Sequence, residues 1–279
     1  MKVIKTLFIV AILANLNHML AQKPFIIKFT ADEDKYVEYV KEKRDRIYEV
    51  TEATLTIYPA KHCNGKAIIA CPGGGYTRLA IAHEGHEMAS WFNKMGITYA
   101  VLTYRMPNGN YKIPVEDAQR AMRIFRKNAN KWNINKIGIM GFSAGGHLAS
   151  TVATHYNTET RPDFQILFYP VITMDKSYTH MGSHNNLLGK DVSAEMENKF
   201  SNEKQITADT PQAFIMHCTD DKAVPVTNSI NYYLSLLKNG VSASLHIYPT
   251  GGHGWGNHDN FTYKKQWQNE LKKWLETIE

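Results

Sequence analysis

Residues 137–145 read Ile-Gly-Ile-Met-Gly-Phe-Ser-Ala-Gly, an apolar run that ends on a serine set between two glycines. A run of this kind is the interior of a buried strand, and Gly-x-Ser-x-Gly at its end is a tight strand-to-helix turn with one hydroxyl at its apex. The serine backbone is strained in such a turn. Gly141 and Gly145 are small because side chains there would collide with the neighbouring strand and helix. Three fixed positions of ordinary abundance recur by chance in about one chain in ten of this length, so the surrounding sequence must carry the argument.

Strand and helix signals alternate around that turn. Residues 66–71 and 97–104 are nearly continuous apolar runs, as interior parallel strands require, whereas residues 48–58 alternate with period two like a half-exposed strand. Apolar side chains recur at helical spacing over 83–94 and again over 114–132, where Val115, Ala118, Ala121, Met122, Ile124 and Phe125 form one stripe behind a first-turn Pro114. Further strands are expected at 136–140, 164–171, 213–217 and 244–248, and helices at 145–155, 226–238 and 263–278. This order predicts an α/β fold, a mostly parallel doubly wound sheet that binds ligands beyond the carboxyl ends of its strands. Residues 173–211, polar and rich in Ser, Asn and His, are too long for a plain connector and are expected to form a lid-like insertion.

Lys2 and Lys5 precede the apolar stretch 7–14, and no acidic residue occurs before Asp32, the pattern of a signal peptide spanning residues 1–21. That leaves one α/β domain over 22–279 and implies export to the periplasm or the medium, without stable membrane insertion once the signal is cleaved. Losing the two lysines leaves thirty basic against twenty-six acidic residues, a net charge of about +4. The basic side chains are interspersed with acids, so a nucleic-acid partner is not expected. Cys63, Cys71 and Cys218 permit one disulfide at most, and two of them end core strands, which suggests buried free thiols.

Four motifs fall at strand ends. Cys71-Pro72-Gly73-Gly74-Gly75-Tyr76 follows the strand at 66–71 and can aim bare backbone amides at a developing oxyanion, with Gly74 or Gly75 as one arm and Ala144 as the other. Ser143 is the candidate nucleophile, which needs a base to remove its proton. Asp220 and Asp221 compete to orient that base; Asp221 lies four residues before Pro225, and Asp220 is the alternative. His253 in Gly251-Gly252-His253-Gly254-Trp255-Gly256 is the candidate base. His147 is read as a packing residue. His83-Glu84-Gly85-His86 has the wrong spacing for a zincin and no third ligand, so no metal and no cofactor is expected; Glu84 and His86 are read as opening the next helix. Tyr76, Tyr104 and Trp255 are candidate walls for a sugar, and His184 and Asn185 candidate hydroxyl contacts.

These motifs, with VLTYRMP at 101–107, PVEDAQRAMR at 114–123 and SHNNLLG at 183–189, resemble the α/β-hydrolase fold esterases of Bacteroidetes xylan-degrading systems, the acetylxylan and feruloyl esterases. The resemblance runs from about Lys66 to Trp274. It implies a Ser143, His253, Asp221 triad, an oxyanion hole at the Gly73 to Tyr76 turn, and an acylated glycan or small ester as substrate. Acetyl is the first acyl group it suggests. A feruloyl esterase, a general carboxylesterase and a non-enzymatic glycan-binding pseudo-hydrolase are the alternatives.

Overall fold

Strands that bury both faces carry apolar residues at nearly every position, Gln165 and His217 being buried exceptions, and those strands form the middle of one nine-stranded sheet. A computed structural model describes residues 23–279. The strands are β1 (Phe25–Phe29), β2 (Asp34–Glu38), β3 (Thr54–Tyr58), β4 (Gly65–Cys71), β5 (Thr98–Thr103), β6 (Ile134–Phe142), β7 (Phe164–Phe168), β8 (Gln212–Cys218) and β9 (Ala243–Tyr248). Their spatial order is β2-β1-β3-β5-β4-β6-β7-β8-β9. From β5 to β9 all neighbours are parallel, and β1 to β3 extend the sheet as an antiparallel edge. All five residues of β7 are buried, whereas β1 alternates between buried and half-buried positions.

The helices are α1 (Ala89–Lys94), α2 (Lys112–Trp132), α3 (Ala144–Thr154), α4 (Met181–Leu188), α5 (Ala194–Phe200), α6 (Thr227–Lys238) and α7 (Lys264–Glu276). Trp91 of α1 meets Trp267 of α7 with ring centroids 5.5 Å apart, and α2 and α3 pack on each other and on β6. No helix among the described residues is long and apolar enough to cross a membrane. The signal expected at 1–21 lies outside the described residues.

The expected elements are present with local changes. The strand foreseen at 48–58 is confined to Thr54–Tyr58, because Ile47 makes only an isolated bridge to Leu79 and Tyr48 is solvent-exposed. The strand foreseen at 164–171 stops at Phe168, where Tyr169 adopts φ 36° ahead of Pro170. The helix foreseen at 83–94 reduces to a 3₁₀ turn, His86–Met88, and α1. Strands β1 and β2 were not foreseen. The insertion at 173–211 holds α4, α5 and a 3₁₀ turn, Asn202–Lys204. Ser193 caps α5 by accepting from the Met196 amide, with Glu195 and Glu197 in the first turn favouring the positive end of the helix. Cys63, Cys71 and Cys218 are all free thiols.

Topology alone locates the crevice. β4 lies between β5 and β6, so chain progression reverses direction there, and ligands bind where such a reversal opens the strand ends. Cys71 and Gly141 pair across β4 and β6, which brings the glycine turn and the serine turn side by side.

Helix α3 is buried from Ala144 to Ala153, including the His147 imidazole. His147 Nε2 donates to the Phe200 carbonyl at 2.8 Å, so Nδ1 accepts from the Tyr76 hydroxyl at 3.0 Å. The ring ties the insertion to the core, as a packing residue should. Burial pushes its pKa down to about 4. The unfolded chain therefore binds the proton first, and stability present above about pH 6.5 is lost as pH falls toward 4, by up to about 1.4 kcal/mol per pH unit from this ring. Urea denaturation from pH 7 to pH 4.5 should show that fall, and His147→Gln should remove its share of the slope.

Candidate active site

Ser143 sits where β6 must turn into α3 without a connecting loop, and its backbone takes φ 51°, ψ −120°. Three hydrogen bonds hold it there. Its amide donates to the Phe168 carbonyl at 3.0 Å, while its carbonyl accepts from Val171 at 3.0 Å and His147 at 3.1 Å. The close approach needs glycine on both sides. A Cβ on Gly141 would stand 2.1 Å from the Gly145 carbonyl oxygen, and one on Gly145 would stand 2.1 Å from the Cys71 carbonyl oxygen. The strained position of a non-glycine residue is thus imposed by packing of helix on strand.

Three strand ends bring three distant side chains together. His253 Nε2 is 2.8 Å from Ser143 Oγ, and His253 Nδ1 is 2.6 Å from Asp221 Oδ2. A carboxylate only accepts, so Nδ1 carries the proton and Nε2 is left to accept from the serine hydroxyl. Of the two adjacent aspartates, Asp221 is the one that reaches the imidazole. Its Oδ1 accepts from the amides of Ala223 and Val224, both at 2.9 Å, and its Oδ2 also accepts from His217 Nε2 at 3.2 Å. Burial alone would raise its pKa, but hydrogen bonds from His217, His253 and Val224 outweigh burial and hold it well below the usual carboxylate range. Asp220 accepts from the amides of Gly251 and Gly252 at 3.2 and 2.8 Å, and so braces the loop that carries His253.

A cleft of about 500 Å³ opens over Ser143 and His253, lined also by Gly74, Gly75, His180, Asn186, Arg46 and Arg78. The Gly73 amide is already committed, donating to Glu84 Oε2 at 2.8 Å. Among the described residues the amides of Gly74, Gly75 and Ala144 donate to no protein group, and Ala144 begins α3, where first-turn amides lack helical partners. Backbone donors of this kind beside a serine hydrogen-bonded to an imidazole can hold a tetrahedral oxyanion.

Glu84 does not open a helix as foreseen. Gly85 separates it from the 3₁₀ turn, and its carboxylate is 3% exposed, accepting from Gly73 and from the Tyr169 hydroxyl, the latter at 2.8 Å. Burial raises its pKa against those hydrogen bonds. Tyr169 in turn accepts from the Gly256 amide at 2.9 Å, and its ring centroid lies 4.8 Å from that of His253. Glu84 and Tyr169 therefore join the glycine turn to the histidine loop. His86 does open the helical segment, as the first residue of the 3₁₀ turn, and its Nδ1 lies 2.9 Å from the Tyr58 hydroxyl, while the His83 ring stacks on His258 with centroids 4.2 Å apart.

The foreseen sugar walls are not walls. Tyr76 is 1% exposed because its φ of 61° turns the ring inward, where its hydroxyl meets His147. Trp255 is 4% exposed and stacks on Phe261 at 4.1 Å within the core. Tyr104 is buried beneath the glycine turn and donates to the Pro72 carbonyl at 2.7 Å. His184 is buried against Glu197 and Asn185, so neither residue of that pair lines the cleft. The insertion contributes His180 and Asn186 instead. Asn186 Nδ2 donates to the Gly75 carbonyl at 2.8 Å. His180 caps α4, its Nδ1 accepting from the Ser183 amide at 3.1 Å, which leaves Nε2 to carry a proton.

Residues 55–236 match the BD-FAE family. Over 233 residues the chain is 43% identical to the acetylxylan esterase of Xylanibacter ruminicola, covering 81% of this chain and 48% of that protein. It is 38% identical over 204 residues to endo-1,4-beta-xylanase B of Butyrivibrio fibrisolvens, covering 67% of this chain and 32% of that one. The chain thus spans about half the length of the first relative and a third of the second. A crystal structure of an acetyl ester-xyloside bifunctional hydrolase from Caldicellulosiruptor lactoaceticus superposes with a TM-score of 0.75 at 38% identity, covering 80% of this chain and 88% of that one.

The two aspartates can be separated by the reactivity of Ser143 toward a fluorophosphonate. Asp221→Asn should slow labelling by roughly 10²-fold or more, since the imidazole loses the partner that sets its tautomer. Asp220→Asn should slow it far less, and equal effects would contradict the division of roles.

Proposed function

The chain belongs to the BD-FAE family and has the α/β-hydrolase fold, and from that premise we propose that it is a serine esterase removing acyl groups, acetyl foremost, from plant cell-wall polysaccharide such as xylan. The observation that carries the reading is the continuous hydrogen-bonded line from Ser143 through His253 to Asp221, ending at a cleft with undonated backbone amides. The acetylxylan esterase named among its relatives supports the substrate class.

In the proposed cycle His253 Nε2 takes the proton from Ser143 Oγ as the oxygen attacks the ester carbonyl. The carbonyl oxygen becomes an oxyanion and is held by the amide of Ala144 and by that of Gly74 or Gly75. Asp221, kept ionised, stabilises the imidazolium, which gives its proton to the sugar oxygen as the C–O bond breaks and the sugar leaves as a free hydroxyl. Water enters, gives a proton to His253 and attacks the acyl-serine; collapse releases the acid as the imidazolium returns its proton to Ser143 Oγ. Glu84 and Tyr169 act by positioning, since one fixes the glycine turn and both link it to the loop that carries the base. A polymeric substrate agrees with the export signal that residues 1–21 resemble and with a periplasmic or extracellular site of action.

Ser143→Ala should lower turnover of an aryl acetate by roughly 10³-fold or more and abolish fluorophosphonate labelling. A folded variant that hydrolyses the ester at the unsubstituted rate would remove Ser143 from the mechanism. Acetylated xylan, feruloylated arabinoxylan and simple aryl acetates, assayed side by side, resolve acyl group and polymer; acetylated xylan is expected to give the largest kcat/KM. A folded, unreactive protein that still binds xylan would instead mark a glycan-binding pseudo-hydrolase.

A further inference from the structure

Two arginines that line the cleft form no ion pair. Among the described residues Arg44, Arg105, Arg120 and Arg126 each pair with a carboxylate, whereas Arg46 and Arg78 make no side-chain hydrogen bond or ion pair and both line the cleft that holds Ser143. They approach it from separate parts of the chain. Arg46 comes from the segment between β2 and β3, and Arg78 from the stretch just after the glycine turn. Arg78 lies against that turn, since a Cβ on Gly74 would stand 2.9 Å from its Cγ.

No carboxylate among the described residues lies within ion-pair distance of either side chain. Glu84 is the one acid lining the cleft; its oxygens accept from Gly73 and Tyr169, and its charge reaches Arg46 only at longer range. Asp221 lies behind His253, Asp220 is turned to the Gly251 and Gly252 amides, and Asp45 faces the neighbouring groove. Histidines 83, 180, 253 and 258 also line the cleft and add no negative charge. Two arginines against the single buried Glu84 leave the lining with a positive excess, a concave site with such an excess concentrates anions, and guanidinium matches a carboxylate fork to fork.

We propose that Arg46 and Arg78 form a carboxylate subsite, so that the preferred substrate is an ester that also bears a carboxylate close to the scissile bond. The inference rests on the esterase reading and narrows its substrate class. The carboxylate can belong to the alcohol side, as a uronic acid branch on the glycan, or to the acyl side, as the free end of a dicarboxylic half-ester.

The first arm needs no turnover. In the Ser143→Ala chain, calorimetry compares a xylo-oligosaccharide bearing a glucuronic acid branch with the same oligosaccharide after reduction of its carboxyl group. A carboxylate on the glycan predicts about ten-fold tighter binding of the acid at low salt, declining as salt is raised. In the second arm the unsubstituted enzyme is assayed on an aryl hemisuccinate and an aryl butyrate, and a preference for the former places the carboxylate on the acyl side. In whichever arm shows it, Arg46→Gln with Arg78→Gln should bring the ratio to about one, and the two lysine substitutions should restore part of it, because charge returns without the fork. Circular dichroism checks that each variant is folded. Equal affinity or rate for acidic and neutral compounds in both arms, or a preference that survives the double glutamine substitution, overturns the subsite. Failure to turn over any ester overturns the esterase reading instead and leaves the binding arm to decide the subsite.

Discussion

The contact between the start of α3 and the carboxyl end of β4 has no spare room, and most of the site follows from it. With the Cys71 carbonyl against Gly145 and the Gly145 carbonyl against Gly141, the chain leaving β6 has one route into the helix. That route forces the positive φ of Ser143, lifts its hydroxyl to the rim and leaves the first amide of α3 undonated. The proposed nucleophile and the proposed oxyanion donor are therefore products of the same packing constraint. Because β4 and β6 are adjacent at the reversal of strand order, the glycine turn that follows β4 is placed beside them by topology.

Carboxylates then fix what packing leaves loose, each through backbone amides as well as side chains. Asp221 is locked by the amides of Ala223 and Val224 before it meets His253, so its position does not depend on the imidazole it orients. Asp220 holds the glycines ahead of the histidine. Glu84 takes the one amide of the glycine turn that points inward, and its bond with Tyr169 reaches the Gly256 amide beyond the histidine. Charge-assisted bonds to amides are among the stronger ones available, and those of the buried Asp221 and Glu84 rigidify the loops they hold, whereas the Asp220 bonds are exposed to solvent.

How far the sequence revealed this depended on the reach of the signals. The apolar runs of β4 to β8 and the stripe of α2 are local patterns, and they placed the sheet and its helices with small errors at the ends. The serine, the histidine and the competing aspartates were legible because turn residues mark strand ends. The choice between Asp220 and Asp221 was a matter of geometry one residue wide, and only coordinates show which carboxylate faces the ring. Strands β1 and β2 escaped notice because an edge with half-exposed residues looks like polar loop. Tyr76 and Trp255 were misjudged for one reason: a position next to a site does not say which way a ring points, and both turned inward. Glu84 showed no local sign of its role, since its partners Gly73 and Tyr169 lie 11 and 85 residues away. His180 and Asn186, instead of His184 and Asn185, reflect the N-cap and helical phase of α4, which an eight-residue helix with apolar residues only at its two ends does not declare.

Helix α3 is enclosed along almost its whole length, and that enclosure has a consequence for how the molecule opens. A segment sealed between the sheet, the neighbouring α2 and the residues that follow α5 has no frayed state of its own through which solvent can enter. Its amides should exchange with deuterium only when the entire domain unravels, at the slow limit set by global stability. The Ser143 hydroxyl therefore rides on the least labile part of the protein, while the lining contributed by α4 and by the arm before β3 can rearrange without disturbing it.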